Sequence, residues 1–328
     1  MSWRLYCPSC GFRGEEQSYF PFCPACRGPL EVEGVLPEAR RELGEGRTPV
    51  VFEGDVAFKL EHLNPSGSFK DRGISYSLQI AKRLGYRCTV IDSSGNAAIS
   101  AALYARRLKL EAIVVVPRNA HRAKLSLISS LGAKLLTVEN RDRAHEVAVS
   151  FSKECFYISH PTSPLFLEGM KGLGEELSEM SRRLTVIAPV SSGSLLLGAY
   201  RGLRGRGVEV KLIAAQAAEK ASLSSYVSKA YSVGGESSRL ADALVIGKPP
   251  RAAELAKAIV EGGGAVVKVG DESIKESLGE LLDMGFLVEP SSAVAWSAYK
   301  VLREELKGEQ VAIVLTGSGL KYLEGLRS

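Results

Sequence analysis

Lys70 stands in Asn64-Pro65-Ser66-Gly67-Ser68-Phe69-Lys70-Asp71-Arg72, one lysine among turn formers, directly ahead of a helical pattern from Gly73 to Leu84. A lysine held in that way can form an imine with an aldehyde. The plain alternative is a surface lysine in an ordinary loop. Three further segments weigh against it. They are Ser93-Ser94-Gly95-Asn96 after a strand-like run ending at Asp92, Ser191-Ser192-Gly193-Ser194-Leu195 after Val186 to Val190, and Thr316-Gly317-Ser318-Gly319 after Val311 to Leu315. Small polar residues at a helix start offer an anion both N–H donors and the positive end of the helix dipole. The first loop could hold a carboxylate, with Asn96 donating to a ring oxygen beside the aldehyde. The second makes a phosphate cradle. In the third, Thr316 can meet a ring nitrogen as a neutral partner. Any one of these loops is equally a strand-to-helix turn capped by Ser or Asn. A lysine loop and three such loops together favour one site for a phosphorylated ring.

The elements that must position these loops can be read from the apolar pattern. Strand-like runs cover Thr89 to Asp92, Ala112 to Pro117, Lys134 to Val138 and Phe156 to Ser159. Helical patterns lie between them at Ala97 to Leu108, His121 to Leu131 and Asp142 to Glu154. A second block has strands at Val186 to Val190, Val210 to Ala214, Ala265 to Val269 and Val311 to Leu315, with helices at Leu195 to Leu203, Asp271 to Met284 and Ser292 to Leu306. Apolar strands joined by helical crossovers imply parallel sheets covered on both faces. The expected architecture is therefore α/β, two three-layer α/β/α lobes with a cleft between them. In such sheets ligands bind beyond the carboxyl ends of the strands, where all three loops fall. The stretch from Ala217 to Pro250 is the least regular.

Four of the six cysteines form Cys7-Pro8-Ser9-Cys10 and Cys23-Pro24-Ala25-Cys26, with Gly11 and Gly28 near the turns. Two such knuckles place four thiolates around Zn²⁺. With four sulfur ligands no position stays open, so the metal is expected to be structural, folding a segment too short for its own core. Two disulfides, or thiols without metal, are the alternatives. Cys88 and Cys155 lie at strand starts and read as small buried residues.

The chain has 328 residues, enough for two lobes, and 24% of them are charged. Its net charge of +5 comes without a Lys/Arg run that would suggest nucleic acid. Residues 1–30 carry only Arg4, Arg13 and Arg27 as cations, too few for strong phosphate binding by the ribbon. No apolar run is long enough for a bilayer, and no apolar signal core precedes the cysteines, so a cytoplasmic location is the default. Only Asn64, Asn96, Asn119, Asn140, Gln17, Gln79, Gln216 and Gln310 carry amides, a scarcity seen in proteins from hot environments.

Asn64 to Arg72, Ser93 to Asn96, the loop after Pro189-Val190 and Thr316 to Lys321 resemble the fold-type II enzymes that use pyridoxal 5'-phosphate (PLP). Within them the chain looks most like the threonine synthase family, which Leu43 to Pro49, Leu167 to Lys171, Asp242 to Gly247 and Glu289 to Ala293 also match. Archaeal-type members often begin with a similar cysteine ribbon. The resemblance covers nearly the whole chain. It implies a tryptophan synthase β-like fold: a zinc ribbon at 1–32, a large PLP-binding domain at 33–62 and 160–328, and a small domain at 63–159. It implies Lys70 as the Schiff-base lysine, Asn96 as partner of the ring oxygen, Ser191 to Leu195 as phosphate cradle and Thr316 near the pyridine nitrogen. Ser93, Ser94 and Gly95 would bind the substrate carboxylate, and Cys7, Cys10, Cys23 and Cys26 the zinc. A homodimer acting in threonine biosynthesis is the expectation, with no nucleic acid or membrane partner.

Three departures from the family pattern, at four positions, stand out. Phe166, in Ser163-Pro164-Leu165-Phe166, stands where an arginine usually binds the substrate's phosphate, and an apolar ring cannot replace it. Arg122, Lys124 and Lys171 are cations that could substitute. Ala97 replaces a usual threonine. Ser191 and Ser194 fill usual glycine positions. The leading expectation is conversion of O-phosphohomoserine and water to threonine and phosphate. A serine/threonine dehydratase, or another β-elimination or β-replacement enzyme, is the alternative that Phe166 and Ala97 favour. A non-catalytic PLP or nucleic-acid binder is the reading from another class.

Overall fold

The structure, a computed structural model, describes residues 2–322. The last residues of the expected large domain, 323–328, lie outside them. In chain order the strands and helices are β1 (Trp3–Tyr6), β2 (Glu31–Gly34), β3 (Val50–Glu53), β4 (Val56–Lys59), α1 (Lys70–Arg83), β5 (Cys88–Ile91), α2 (Asn96–Leu108), β6 (Glu111–Pro117), α3 (Arg122–Ser130), β7 (Lys134–Val138), α4 (Arg141–Ser150), β8 (Phe156–Tyr157) and α5 (Pro164–Leu177). They continue as β9 (Arg183–Pro189), α6 (Ser194–Gly205), β10 (Glu209–Ala217), β11 (Ala230–Val233), α7 (Ala252–Glu261), β12 (Ala265–Val269), α8 (Asp271–Asp283), α9 (Pro290–Leu302) and β13 (Val311–Val314). The chain forms two compact units, Met1–Glu45 with Lys70–Gly169, and Gly46–Phe69 with Met170–Ser328.

The first unit holds a two-stranded antiparallel ribbon, β1 with β2, and a four-stranded parallel sheet in the order β7-β6-β5-β8. β6 is central, and every residue from Ala112 to Pro117 is buried, as expected of a strand covered on both faces. α4 starts one residue earlier than the apolar pattern suggests, because the Asn140 side chain accepts the Arg143 N–H at 2.9 Å. It ends at Ser150, followed by a 3-10 turn over Phe151–Lys153.

One sequence expectation fails here. Cys88 and Cys155 are not independent small residues; they form a disulfide, with Cα atoms 4.8 Å apart. β5 and β8 are adjacent parallel strands, with Thr89 opposite Phe156. Two cysteines just at the start of such a pair come within bonding reach.

The second unit is built on a seven-stranded sheet in the order β11-β12-β10-β9-β13-β4-β3, parallel except for the β3–β4 hairpin. Phe58, Ile187, Ile213, Val267 and Ile313 meet Ala293, Ala295 and Ala298 in its core. Gly174 of α5 and Gly202 of α6 allow those helices to touch backbone to backbone. A Cβ at Gly174 would collide with the Ala199 carbonyl, and one at Gly202 with the Lys171 carbonyl. α9 begins at Pro290, two residues before the expected start, with proline in the first turn, where its missing N–H has no cost. The hairpin, β11, α5 and α7 are elements that the apolar pattern did not delineate. Among the described residues no helix is long and apolar enough to cross a membrane.

Candidate functional site

The lysine segment is held along its length. Within the second unit, Asn64 to Phe69 pairs with the loop that follows β13. The Phe69 N–H donates to the Thr316 carbonyl at 3.0 Å and the Ser318 N–H to the Gly67 carbonyl at 2.9 Å. Lys321 Nζ donates to the carbonyls of Gly67 at 2.8 Å and Ser66 at 3.4 Å. Gly67 turns with φ +78°, a conformation that a side chain would strain. Two segments far apart in sequence, with Gly67 and Lys321 separated by 254 residues, are thus one local structure, and Lys70 follows it directly as the first residue of α1. The helix starts three residues earlier than expected.

In the first unit, Lys70 Nζ lies 5.5 Å from the centre of the Phe166 ring. That ring is fully buried and packs on α1 where Gly73 leaves room; a Cβ at Gly73 would overlap it. His160 meets the same ring at 6.0 Å, edge-on. Burial, reinforced by the Lys70 charge, pushes the His160 imidazole well below its ordinary proton affinity, so it is neutral at physiological pH.

The loop Ser93 to Asn96 leaves the carboxyl end of β5. Gly95 caps α2, its N–H donating to Ser93 Oγ at 3.3 Å, and Asn96 is the first helical residue. A Cβ at Gly95 would meet open space, so the backbone is approachable there. Asp92, just ahead of the loop, accepts hydrogen bonds on both oxygens, from Tyr157 Oη to Oδ1 at 2.9 Å and from His145 Nδ1 to Oδ2 at 3.0 Å. Nothing in the sequence pattern singles out His145 or Tyr157. Of the expected substitute cations in this unit, Lys124 is buried and Arg122 exposed.

In the second unit, Ser191 to Ser194 leaves β9 and opens α6. Gly193 is its cap, with φ +83°, and a Cβ there would come within 2.9 Å of Leu255. Ser191 Oγ accepts the Ile246 N–H at 3.0 Å, and Ser192 and Ser194 Oγ lie 3.2 Å apart. Lys171 is half-buried in the same unit. Thr316 is buried, with Oγ1 3.0 Å from Ser292 Oγ and donating to Glu289 Oε1 at 3.4 Å. Glu289, also buried, caps α9. These two partners were within a segment visible in sequence, yet only proximity to Thr316 gives them a role.

The residues fit a phosphorylated, hydrogen-bonding ring. Ser68 Oγ, Gln216 Nε2 and Ser291 Oγ are buried, with no hydrogen-bond partner among the described residues. Ser68 bridges to Gly317, Gln216 is near the carboxyl end of β10, and Ser291 is in the first turn of α9. Buried polar groups of this kind are normally satisfied, and a polar ligand would satisfy them. The capped α6 start, with its close-packed Gly193, suits a phosphate.

The four ribbon cysteines fit a metal. All four Sγ atoms lie within 4.8 Å of one another, with Cys7 and Cys26, and Cys10 and Cys23, 3.5 Å apart. A tetrahedral zinc–thiolate site needs sulfurs about 3.8 Å apart. Gly11 turns the first knuckle with φ +75°; at the matching place in the second, Arg27 takes φ +64°.

A family model described as "Pyridoxal-phosphate dependent enzyme" matches residues 41–317. The chain is 29% identical to a threonine synthase of Halalkalibacterium halodurans, covering 94% of this chain and 90% of that protein. It is also 29% identical to an L-threonine ammonia-lyase of Thermotoga maritima, covering 82% and 68%. Among solved structures, maize serine racemase superposes with a TM-score of 0.70 at 21% identity, covering 86% of this chain and 94% of that one. The last likeness speaks for the fold alone. With its Lys70 segment, its capped loops and a match over most of its length, this chain belongs to the pyridoxal-phosphate dependent enzymes of fold type II.

Proposed function

We propose that this protein is a PLP-dependent carbon–oxygen lyase of the threonine synthase type, converting O-phosphohomoserine and water to threonine and phosphate. The observation that carries the lysine's role is the placement of Lys70, first residue of α1, against the buried Phe166 ring. When bound, PLP supplies a sink for the negative charge that develops on a substrate's α-carbon. Lys70 would hold the cofactor through its amine and, once a substrate's amine has displaced it there, would act as the base that takes the α-proton. Asn96 donates to the ring oxygen. Ser191 to Leu195 hold the phosphate on N–H groups at the α6 start, and Thr316 meets the ring nitrogen as a neutral partner. Backbone and side-chain donors of Ser93, Ser94 and Gly95 orient the substrate carboxylate. Cys7, Cys10, Cys23 and Cys26 hold a structural zinc. A cytoplasmic homodimer completes this reading. The Cys88–Cys155 disulfide suits an intracellular protein chiefly in organisms of hot environments, in line with the few amides.

Support for O-phosphohomoserine comes from threonine synthase relatives that align along nearly the whole chain. One structural observation favours a second reading, deamination of serine or threonine. Phe166, at the position expected to hold an arginine, is sealed against Gly73 and offers a substrate phosphate no donor. The PLP-loaded protein should be given O-phosphohomoserine while phosphate and threonine are quantified together. Equal release of both supports the first reading. Ammonia and a 2-oxo acid from plain threonine, with no phosphate release, would replace it by the second. Inertness toward both substrates with PLP bound would overturn both.

A further inference from the structure

Asp92 is the residue from which the proposed carboxylate loop springs, and both its oxygens are held. Tyr157 Oη lies 2.9 Å from Oδ1, His145 Nδ1 lies 3.0 Å from Oδ2, and the two donors are themselves 3.0 Å apart. The triangle joins β5, α4 and β8 at the carboxyl edge of the first unit's sheet. β8 has only two residues, so Tyr157 needs support from elsewhere. The Cys88–Cys155 disulfide anchors the start of β8 to β5. The segment between the two cysteine knuckles supplies the rest. Tyr19 stacks on Phe156 with ring centres 4.1 Å apart and donates to the Tyr157 carbonyl at 3.0 Å. The Pro21 carbonyl accepts from Thr162 Oγ1 at 2.9 Å. Phe22 packs on the hydrophobic cluster that contains Tyr157, and Arg27 covers the Phe22 ring at 3.5 Å.

We propose that His145, Asp92 and Tyr157 form a pin that positions the Ser93–Gly95 loop for an amino acid's carboxylate, with the ribbon holding the pin through Tyr19. All three are positioning residues, and the inference rests on reading that loop as the carboxylate site. A protonated His145 gives Asp92 a charge-assisted bond, stronger than the bond from a neutral ring. His145 is about half exposed, with a side-chain exposure of 49%, so its proton exchanges with solvent. The charged groups that face it are Asp92 and, on its own helix, Asp142, which favour the proton, and Arg27 of the ribbon, which opposes it. The Asp92 hydrogen bond dominates, and the imidazole's proton affinity is raised above the ordinary 6.5. The pin is therefore complete below pH 6.5 and weakens as pH rises through the raised value.

The test compares wild type, His145→Ala and His145→Asn as PLP-loaded protein. Asparagine carries an amide nitrogen where His145 has Nδ1 but does not titrate. Two readouts are used between pH 6 and 9: hydrogen exchange of residues 93–97, corrected for the intrinsic pH dependence, and KM against kcat for the amino-acid substrate. His145→Ala should speed exchange in that segment and raise KM about fivefold at the low end, with kcat little changed. His145→Asn, a neutral donor, should restore both in part, to the level of wild type at the high-pH end, and flatten the pH dependence of KM. Unchanged exchange in His145→Ala would overturn the pin. Faster exchange with unchanged KM would overturn its role in substrate positioning. If wild type itself turns over no amino acid, the functional reading has failed; the positioning claim falls with it, and the exchange data still decide whether the pin exists.

Discussion

Ser292 Oγ accepts hydrogen bonds from the backbone N–H of Thr316 at 3.0 Å and of Gly317 at 3.2 Å, and lies 3.0 Å from Thr316 Oγ1. One hydroxyl at the start of α9 therefore takes both N–H groups that open the turn after β13. Its removal leaves two buried N–H groups without an acceptor, a cost of about 2–3 kcal/mol. Ser292→Ala should lower the denaturant midpoint accordingly. It should also weaken PLP binding, because Thr316 Oγ1 loses the shorter of its two side-chain contacts and keeps only the one to Glu289. Thr316→Val would show the second effect without most of the first, since the backbone bonds remain. Equal stability of Ser292→Ala and wild type would show that the turn is held by other means.

Gly73 and Phe166 form the second relationship to test. In an open helix, Gly→Ala stabilises by about 1 kcal/mol. Here the new methyl would overlap the Phe166 ring, and overpacking costs about 1–3 kcal/mol. Gly73→Ala should thus be destabilising by urea titration. Phe166→Leu in the same chain should recover part of the loss, giving a coupling energy that two independent sites would not. Strict additivity would separate the two residues.

Much of the candidate site could be named from the sequence because the residues proposed for it stand in local patterns. The Lys70 segment, the strand-to-helix loops and the Cys-x-x-Cys pairs each announce themselves within ten residues. What lies across the sequence did not. The pairing of Ser68 with Gly317, the contact of Ser292 with Thr316 and the Asp92–His145–Tyr157 triangle all depend on sheet order, which periodicity does not specify. The Cys88–Cys155 bond is the same case, since the two cysteines are 67 residues apart and become neighbours only through the β5–β8 pairing. The short hairpin β3–β4 was missed for a different reason. All four residues of β4 are buried, so it shows no alternation.

Lys70 provides the most direct test of the proposed chemistry. Lys70→Ala should lose the visible absorbance of PLP bound through lysine while PLP still associates through the α6 start. Turnover should fall by at least about 10²–10⁴, the contribution of a positioned base. Far-UV circular dichroism should not change, because alanine suits the first turn of α1. Retained absorbance together with retained turnover would move the assignment to another lysine.

The disulfide is expected to be a stabilising element of the first unit. It closes a loop spanning 67 residues, and the chain-entropy model puts the effect of such a closure at about 4 kcal/mol. Sheet pairing of β8 with β5 is short, Thr89 with Phe156 and Val90 with Tyr157, so the disulfide adds to the Tyr19 and Asp92 contacts that hold the strand. Thr89 Oγ1 adds a bond to the Phe156 carbonyl at 2.9 Å. Cys88→Ser should lower the stability of this unit, with the fastest hydrogen exchange appearing along β8 and the 93–97 loop. A reductant should have the same effect on wild type and none on Cys88→Ser. A wild type whose denaturant midpoint is indifferent to reductant, with thiol titration confirming that Cys88 and Cys155 are free, would show that the native sheet holds β8 without the bond.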